Sequence, residues 1–390
     1  MSNSQTGILA IFKREWLRIS SSKICIWGIF VAPLLSMIIL LWMMDSGLPS
    51  RIPIAVVDLD NTTTSRSLVR QLDAFEKTDI KYKSLSFREA RQQMEQMKVY
   101  AVLTIPKDFT KDASSGNRPK LVYYTNNAFL ISGSLLFQDL KTISTLASAS
   151  VGLKTATAKG YTENQIMPIL QPITTDSHPI GNPWLNYSVY LNNVILPGIL
   201  QLIILMFTVS AFGSEVKAGT GGKLLEMGNG SIIKVLIGKL APYTIIYLSI
   251  ALLFISVLYG YNHFPLHSGF WPMFFNYLCL ILAAQGTGII LLGVFQNYRL
   301  ALSIASLIGM VSFSITGFSF STLAMDGSLS ALSNLFPLRH FFLVYVDQAL
   351  NGISIGYSMY HYAALIGFVL LSVLFFGVVK RLLKNNVYEM

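Results

Sequence analysis

Six apolar runs, each near twenty residues long, are separated along the chain by segments of different rhythm. They lie at 24–44, 194–214, 240–260, 274–295, 300–323 and 361–380. A hydrocarbon core takes about 20 residues of helix to cross, so each run predicts a membrane-spanning helix. The first is too long and too late for an ordinary signal peptide, and the turn Asp45-Ser46-Gly47-Leu48-Pro49 after it offers no small-residue cleavage site. It reads as a retained span.

The segment 45–193 changes period. Residues 52–58 form a short apolar strand, 65–75 place Leu68, Leu72 and Phe75 on one helical face, and 80–86 alternate. A helix over 87–97, strands at 99–105 and 120–124, and a long helical run over 129–159 follow. Strand alternating with helix predicts an inserted α/β domain, its small sheet covered by helices. Trp184, Tyr187 and Tyr190 then suit an interfacial aromatic belt at the return to the membrane.

Three shorter segments carry patterns of their own. Within 1–23, Ile8, Ile11, Phe12, Trp16 and Ile19 recur at helical spacing, with Lys13, Arg14 and Arg18 on other faces. This predicts an amphipathic helix on the membrane surface, its cations near anionic lipid. Residues 215–239 predict a short helix with an exposed apolar ridge at Leu224 and Leu225, a Gly-rich turn, and a second helix entering the third span. Residues 326–360 are too apolar for a free loop, with Leu332, Leu335, Phe336, Phe341, Phe342 and Tyr345. They predict re-entrant helices that dip into the outer leaflet and return at Asn351-Gly352. Residues 381–390 read as a cytoplasmic tail.

Composition agrees: 53% of the 390 residues are hydrophobic and 12% charged, about half the charge of a soluble domain. The net charge of +10 does not point to nucleic acid once its placement is read. Lys and Arg gather at 13–23, at 217–239, at Arg299 and at 380–384, while 262–271 has none and the loop before the sixth span only Arg339. This positive-inside bias predicts cytoplasmic termini. Cys25 and Cys279 both fall inside apolar runs and read as packing residues.

Candidate chemistry is sparse. Gly219-Thr220-Gly221-Gly222-Lys223 has Lys217 where a phosphate loop requires its first Gly, and Leu224 where it requires Ser or Thr after the Lys. His263 and His267 flank Pro265 and read as loop residues, and no nucleophile–base set has a local signature. No Asp, Glu, Lys or Arg sits mid-span, which argues against an ion-coupled transporter. Gln201, Asn276, Gln285 and Asn297 read as helix-packing hydrogen-bonders. The small-residue run 283–288 reads as close helix approach.

The ordered set of motifs resembles the ABC-2 type exporter permeases, in the branch with a large extracytoplasmic domain after the first span. It comprises Phe12-Lys13-Arg14-Glu15-Trp16, the strand 55–60 with Ser65 soon after, and Asn182-Pro183, Asn186-Tyr187 and Leu196-Pro197-Gly198 entering the second span. Glu215, Gly219-Thr220, Leu224-Leu225, Gly238-Lys239, Pro242-Tyr243 and the stretch 334–340 complete it. The chain departs from the pattern at Met227-Gly228-Asn229-Gly230, where a Pro and a small polar residue are usual.

The resemblance implies a membrane all-α six-helix domain (ABC type-2 exporter, type V fold) with the inserted extracytoplasmic α/β domain, in the bacterial inner membrane. It implies a homodimer, or a heterodimer with a related permease, bound to a separate ABC ATPase subunit that holds the ATP and Mg, and no cofactor on this chain. Arg14, Glu15, Glu215, Gly219, Thr220, Leu224, Leu225 and Lys239 would couple to that ATPase. Gln201, Met206, Phe207, Met310, Phe313 and Phe318 are candidate lining of a route for drug-like or amphiphilic cargo. A periplasmic adaptor and an outer-membrane channel are further partners the resemblance suggests. A second reading keeps the outer domain as an envelope receptor with no transport.

Overall fold

The apolar runs fold as helices whose ends are set by capping and turn residues rather than by where hydrophobicity fades. In the computed structural model, residues 6–45, 47–115, 117–170, 181–183, 185–318 and 320–385 are described. Trp184 and the expected tail beyond 385 lie outside them. Among the described residues six helices are long and apolar enough to cross a membrane: Lys23–Met43, Tyr187–Lys217, Ile232–Tyr261, Phe270–Phe295, Tyr298–Ile315 and Ile355–Val373.

The second of these begins at Tyr187 rather than at 194. Asn186 caps it by accepting from the backbone N–H groups of Ser188 (2.8 Å) and Val189 (3.3 Å). Asn192 and Asn193 then enter the buried interior because each side-chain NH2 donates to the helix carbonyl four residues back, and the Asn193 oxygen accepts from the Tyr259 hydroxyl at 2.7 Å. The fifth ends at Ile315 rather than 323, since Gly317 takes φ +100, a value that breaks the helix. The sixth covers Ile355–Val373 rather than 361–380. After a break the chain forms a separate helix, Phe376–Asn385, so the described part of the expected tail, 381–385, is helical. Before it, Gly327–Ser333 and Pro337–Leu350 form a pair bent by 88°, in keeping with the expected re-entrant segment. Asp326 caps the first and Pro337 opens the second.

The second and fourth spans are the most covered, with Leu196, Leu200, Ile204, Phe212, Leu280, Ala283 and Ala284 fully buried. In the expected close-packing run, a Cβ on Gly286 would stand 2.9 Å from the Phe368 carbonyl oxygen of the sixth span. The first span is bare by comparison, with Trp27 and Trp42 exposed.

A second compact unit covers Leu48–His178. Strands β1 (Ile52–Asp58), β2 (Thr78–Lys83), β3 (Ala101–Ile105) and β4 (Val122–Thr125) form one sheet in the order β2-β1-β3-β4. β1 is parallel to β2 and β3, and β4 is antiparallel to β3. Alternation along β1 sends Ile54 and Val56 to one core, Ala55 and Val57 to the other. The first core is closed by Leu68 and Leu72 of the helix Thr63–Asp73 and by Leu136, Leu140 and Ile143 of the long helix Leu130–Ala158. The second is closed by Ala90 of the helix Phe87–Glu95. The Ser65 hydroxyl joins the turn after β1 to the next helix, donating to Asp58 Oδ2 (2.7 Å).

Candidate functional site

The N-terminal helix Ile8–Ser21 places a carboxylate in the middle of an apolar face. Ile11, Glu15 and Ile19 follow at four-residue intervals and all three are buried. That face packs on the start of the third span, where Gly238 allows contact: a Cβ there would lie 2.9 Å from both the Ile8 carbonyl oxygen and Ile11 Cβ. The opposite face, with Leu9, Trp16 and Leu17, is exposed. The apolar positions therefore divide, Ile11 and Ile19 facing protein and Trp16 facing outward.

Glu15 is 1% exposed, Glu215 at the end of the second span 2%, and Lys239 at the start of the third 0%. Charges so placed need partners, and these find each other. Lys239 Nζ donates to Glu15 Oε2 at 2.6 Å and to Glu215 Oε1 at 2.9 Å. The Arg14 Nη2 nitrogen donates to both Glu215 oxygens, at 2.9 and 2.7 Å. Arg18 reaches Glu215 at 3.2 Å and Glu15 at 3.6 Å, and also donates to the Ser214 hydroxyl. The Tyr243 hydroxyl donates to Glu15 Oε1 at 2.9 Å, and Thr220 donates to Glu215 Oε2. Two carboxylates thus share three cations across three helices.

Beyond the second span, Gly219 takes φ +66 and turns the chain into the short helix Gly221–Met227. Leu224 and Leu225 are not the exposed ridge that the sequence suggests. They are buried in the same core as Val379 and Leu383 of the C-terminal helix. Gly221 sits so close to that helix that an added Cβ would overlap the Leu383 carbonyl oxygen. The far end of the short helix is held by the Gly7 N–H, which donates to the Met227 carbonyl at 2.8 Å.

Of the eight residues assigned to coupling, the structure joins Arg14, Glu15, Glu215, Thr220 and Lys239 in one network. Gly219 is its turn, and Leu224 and Leu225 anchor the adjoining helix. Sequence reading named Arg18 and Tyr243 without assigning them to this network, and it missed Ser214 and the C-terminal helix. Two signals were present: Arg18 lies four residues after Arg14 and Tyr243 four after Lys239, so each pair shares a helix face.

The candidate route residues are not gathered in this way. Phe207 packs on Gly28 of the first span and Phe313 on Gly198 of the second. Gln201 is buried and donates to the Ser312 hydroxyl at 3.3 Å. The Phe318 ring stands 5.9 Å from that of Tyr190 and 6.4 Å from that of Phe342. Met206 is half-buried and Met310 is exposed. Among the described residues no cluster of three or more His, Cys, Asp or Glu is placed to hold a metal ion. The network offers a fastening rather than reaction chemistry: the buried charges of Glu15, Glu215 and Lys239 are paired only while the three helices stay together.

A family model described as ABC-2 family transporter protein matches residues 23–379. The linearmycin resistance permease protein LnrN of Bacillus subtilis (strain 168) is 29% identical over 94 residues, 24% of each chain. The chain thus spans about a quarter of the length of this curated relative. The family match, in contrast, runs from the first span through the sixth and into the C-terminal helix, and on that extent the chain belongs to the ABC-2 family transporter proteins.

Proposed function

We propose that this multi-pass membrane protein is the permease subunit of an ATP-driven exporter, with the type V arrangement. In this reading it dimerises in the bacterial inner membrane with both termini cytoplasmic and the Leu48–His178 unit outside. A separate ABC ATPase holds ATP and Mg and seats on the short helix Gly221–Met227. The cargo is amphiphilic or drug-like, a class in keeping with the relative whose name records resistance to linearmycin. A periplasmic adaptor and an outer-membrane channel complete the proposed assembly.

The observation that carries the reading is the buried network of Glu15, Glu215 and Lys239. It ties the loop helix, through Thr220, to the ends of the second and third spans. A push on that helix is passed to two spans at once, which is what an energy-coupling contact needs. The uncharged middles of the spans favour an external energy source over an ion gradient.

Affinity purification of the full chain from its own host, followed by identification of bound proteins, tests the assignment. An ABC ATPase should copurify. The ATPase rate of the pair should fall about tenfold or more in Glu215→Ala, the effect of losing a coupling contact of about 1.4 kcal/mol or more. A chain that copurifies with no ATP-binding subunit, even after chemical cross-linking, overturns the reading.

A further inference from the structure

The Leu48–His178 unit contains a cavity that its fold does not need. The long helix Leu130–Ala158 closes the sheet only as far as Ala147, its last buried residue. Beyond that point it runs on with small residues facing inward, Gly152, Thr155 and Ala156 among them. The helix Glu163–Leu170 folds back alongside, burying Ile166 and bringing Leu170 against Gly152, where a Cβ would stand 2.8 Å from the Leu170 side chain. Between the two helices and the β4 end of the sheet remains a groove of about 840 Å³. Its walls include Leu121, Tyr123, Val151 and Ile166. Small-molecule sites occupy about 300–1,000 Å³ and are lined in this manner, mostly apolar with few polar groups.

Its charge is one-sided. Arg118 and Lys159 stand at the groove and are solvent-exposed, and no Asp or Glu is among the described residues that line it. An apolar trough with cations at its edge is complementary to a molecule with the opposite layout. We infer that this groove binds a small amphiphile with an apolar tail and a single anionic head, the tail along Val151 and Ile166 and the head at Arg118 and Lys159. The inference rests on the exporter reading above and narrows its cargo class.

The test uses the full chain in nanodiscs of zwitterionic lipid and a photoactivatable long-chain fatty acid, with labelled peptides identified by mass spectrometry. Label should fall on 144–170. Unlabelled fatty acid should displace it about three- to tenfold better than the uncharged methyl ester, the advantage two exposed ion pairs supply. Thr155→Trp, which fills the groove from a half-exposed position, should abolish that label. The double variant Arg118→Ala/Lys159→Ala should keep a weaker label and lose the preference for acid over ester. Label confined to the membrane spans, equal displacement by acid and ester, or a cross-link between two copies at this groove overturns the inference. Binding of the ABC ATPase is measured on the same sample. If the ATPase binds and the groove stays unlabelled, the groove assignment fails alone. If the ATPase does not bind, the exporter reading fails, and the substrate role of the groove falls with it.

Discussion

Replacing Lys239 with Met keeps the volume of the side chain and removes its charge. In the wild type Nζ lies 2.6 Å from Glu15 and 2.9 Å from Glu215, with the Lys side chain fully buried. At an effective dielectric of about 20, each contact is worth about 6 kcal/mol of attraction. Several kcal/mol of desolvation per ion offset much of that. The loss does not fall evenly. Glu215 keeps Arg14 and Arg18, but Glu15 is left with one guanidinium at 3.6 Å and the Tyr243 hydroxyl. Stranding a buried carboxylate in this way costs about 3–5 kcal/mol. Thermal denaturation of the detergent-solubilised chain, followed by the fraction that stays monodisperse, should show a midpoint lower by about 6–15 °C. The control is Glu15→Gln in the Lys239→Met background. It removes the stranded charge and should recover about 1–3 kcal/mol, a coupling that independent sites would lack. A Lys239→Met chain that melts with the wild type refutes the reasoning. So does a double variant no more stable than the single one.

Gly221→Ala places a methyl group against the Leu383 carbonyl oxygen and should prise the C-terminal helix from the loop helix at a cost of about 1–3 kcal/mol. Trypsin cleavage after Lys380, Arg381 and Lys384 reports the release, and unchanged cleavage would show that the two helices are not held together there. Asp60 gives a pH signature in the Leu48–His178 unit. Burial alone would raise its carboxyl, yet hydrogen bonds from Thr110 and Thr62 outweigh it and hold the group below the ordinary carboxylate value. Its stabilisation is therefore present above the unfolded value of about 4 and is lost as pH falls through the lower folded value. Asp60→Asn should weaken hydrogen-exchange protection of the helix Thr63–Asp73 by about 1–2 kcal/mol near pH 7 and by progressively less as pH is taken below about 4. A difference that does not shrink as the pH is lowered would contradict this.

The six spans were legible because twenty apolar residues in a row have few other uses, and the β1 strand because its apolar run is short and bounded by turn residues. Their ends were less so. Asn192 and Asn193 look like the outside of a membrane, but each places its side-chain NH2 on a carbonyl of its own helix, and the second span starts at Tyr187. The C-terminal helix was hidden by Lys380, Arg381 and Lys384, which mask Val379 and Leu383 four residues apart on the buried face. In the network, partners are 201 and 224 positions apart in the chain, so no local pattern joins them. Arg14, Glu15, Glu215 and Lys239 were singled out through the family resemblance. What the sequence did contain was Glu15 between Ile11 and Ile19, a carboxylate on a face that would bury it and hence require a cation from elsewhere.

The family match begins at residue 23, downstream of the helix that supplies Arg14, Glu15 and Arg18. The structure nevertheless makes that helix integral to the site. The loop helix Gly221–Met227 is held at its start by Thr220 on Glu215, along its length by the C-terminal helix, and at its end by Gly7. Glu215 in turn is bonded to the N-terminal helix through Arg14 and to the third span through Lys239. With so few loose joints, a displacement of the loop helix cannot be absorbed locally. Either the charges separate, at the cost of a stranded carboxylate, or the N-terminal helix and the ends of two spans move with it. The first costs several kcal/mol, while the second asks only that helices slide against lipid and one another. Motion as a block is the cheaper response, and the buried charges are what make it so.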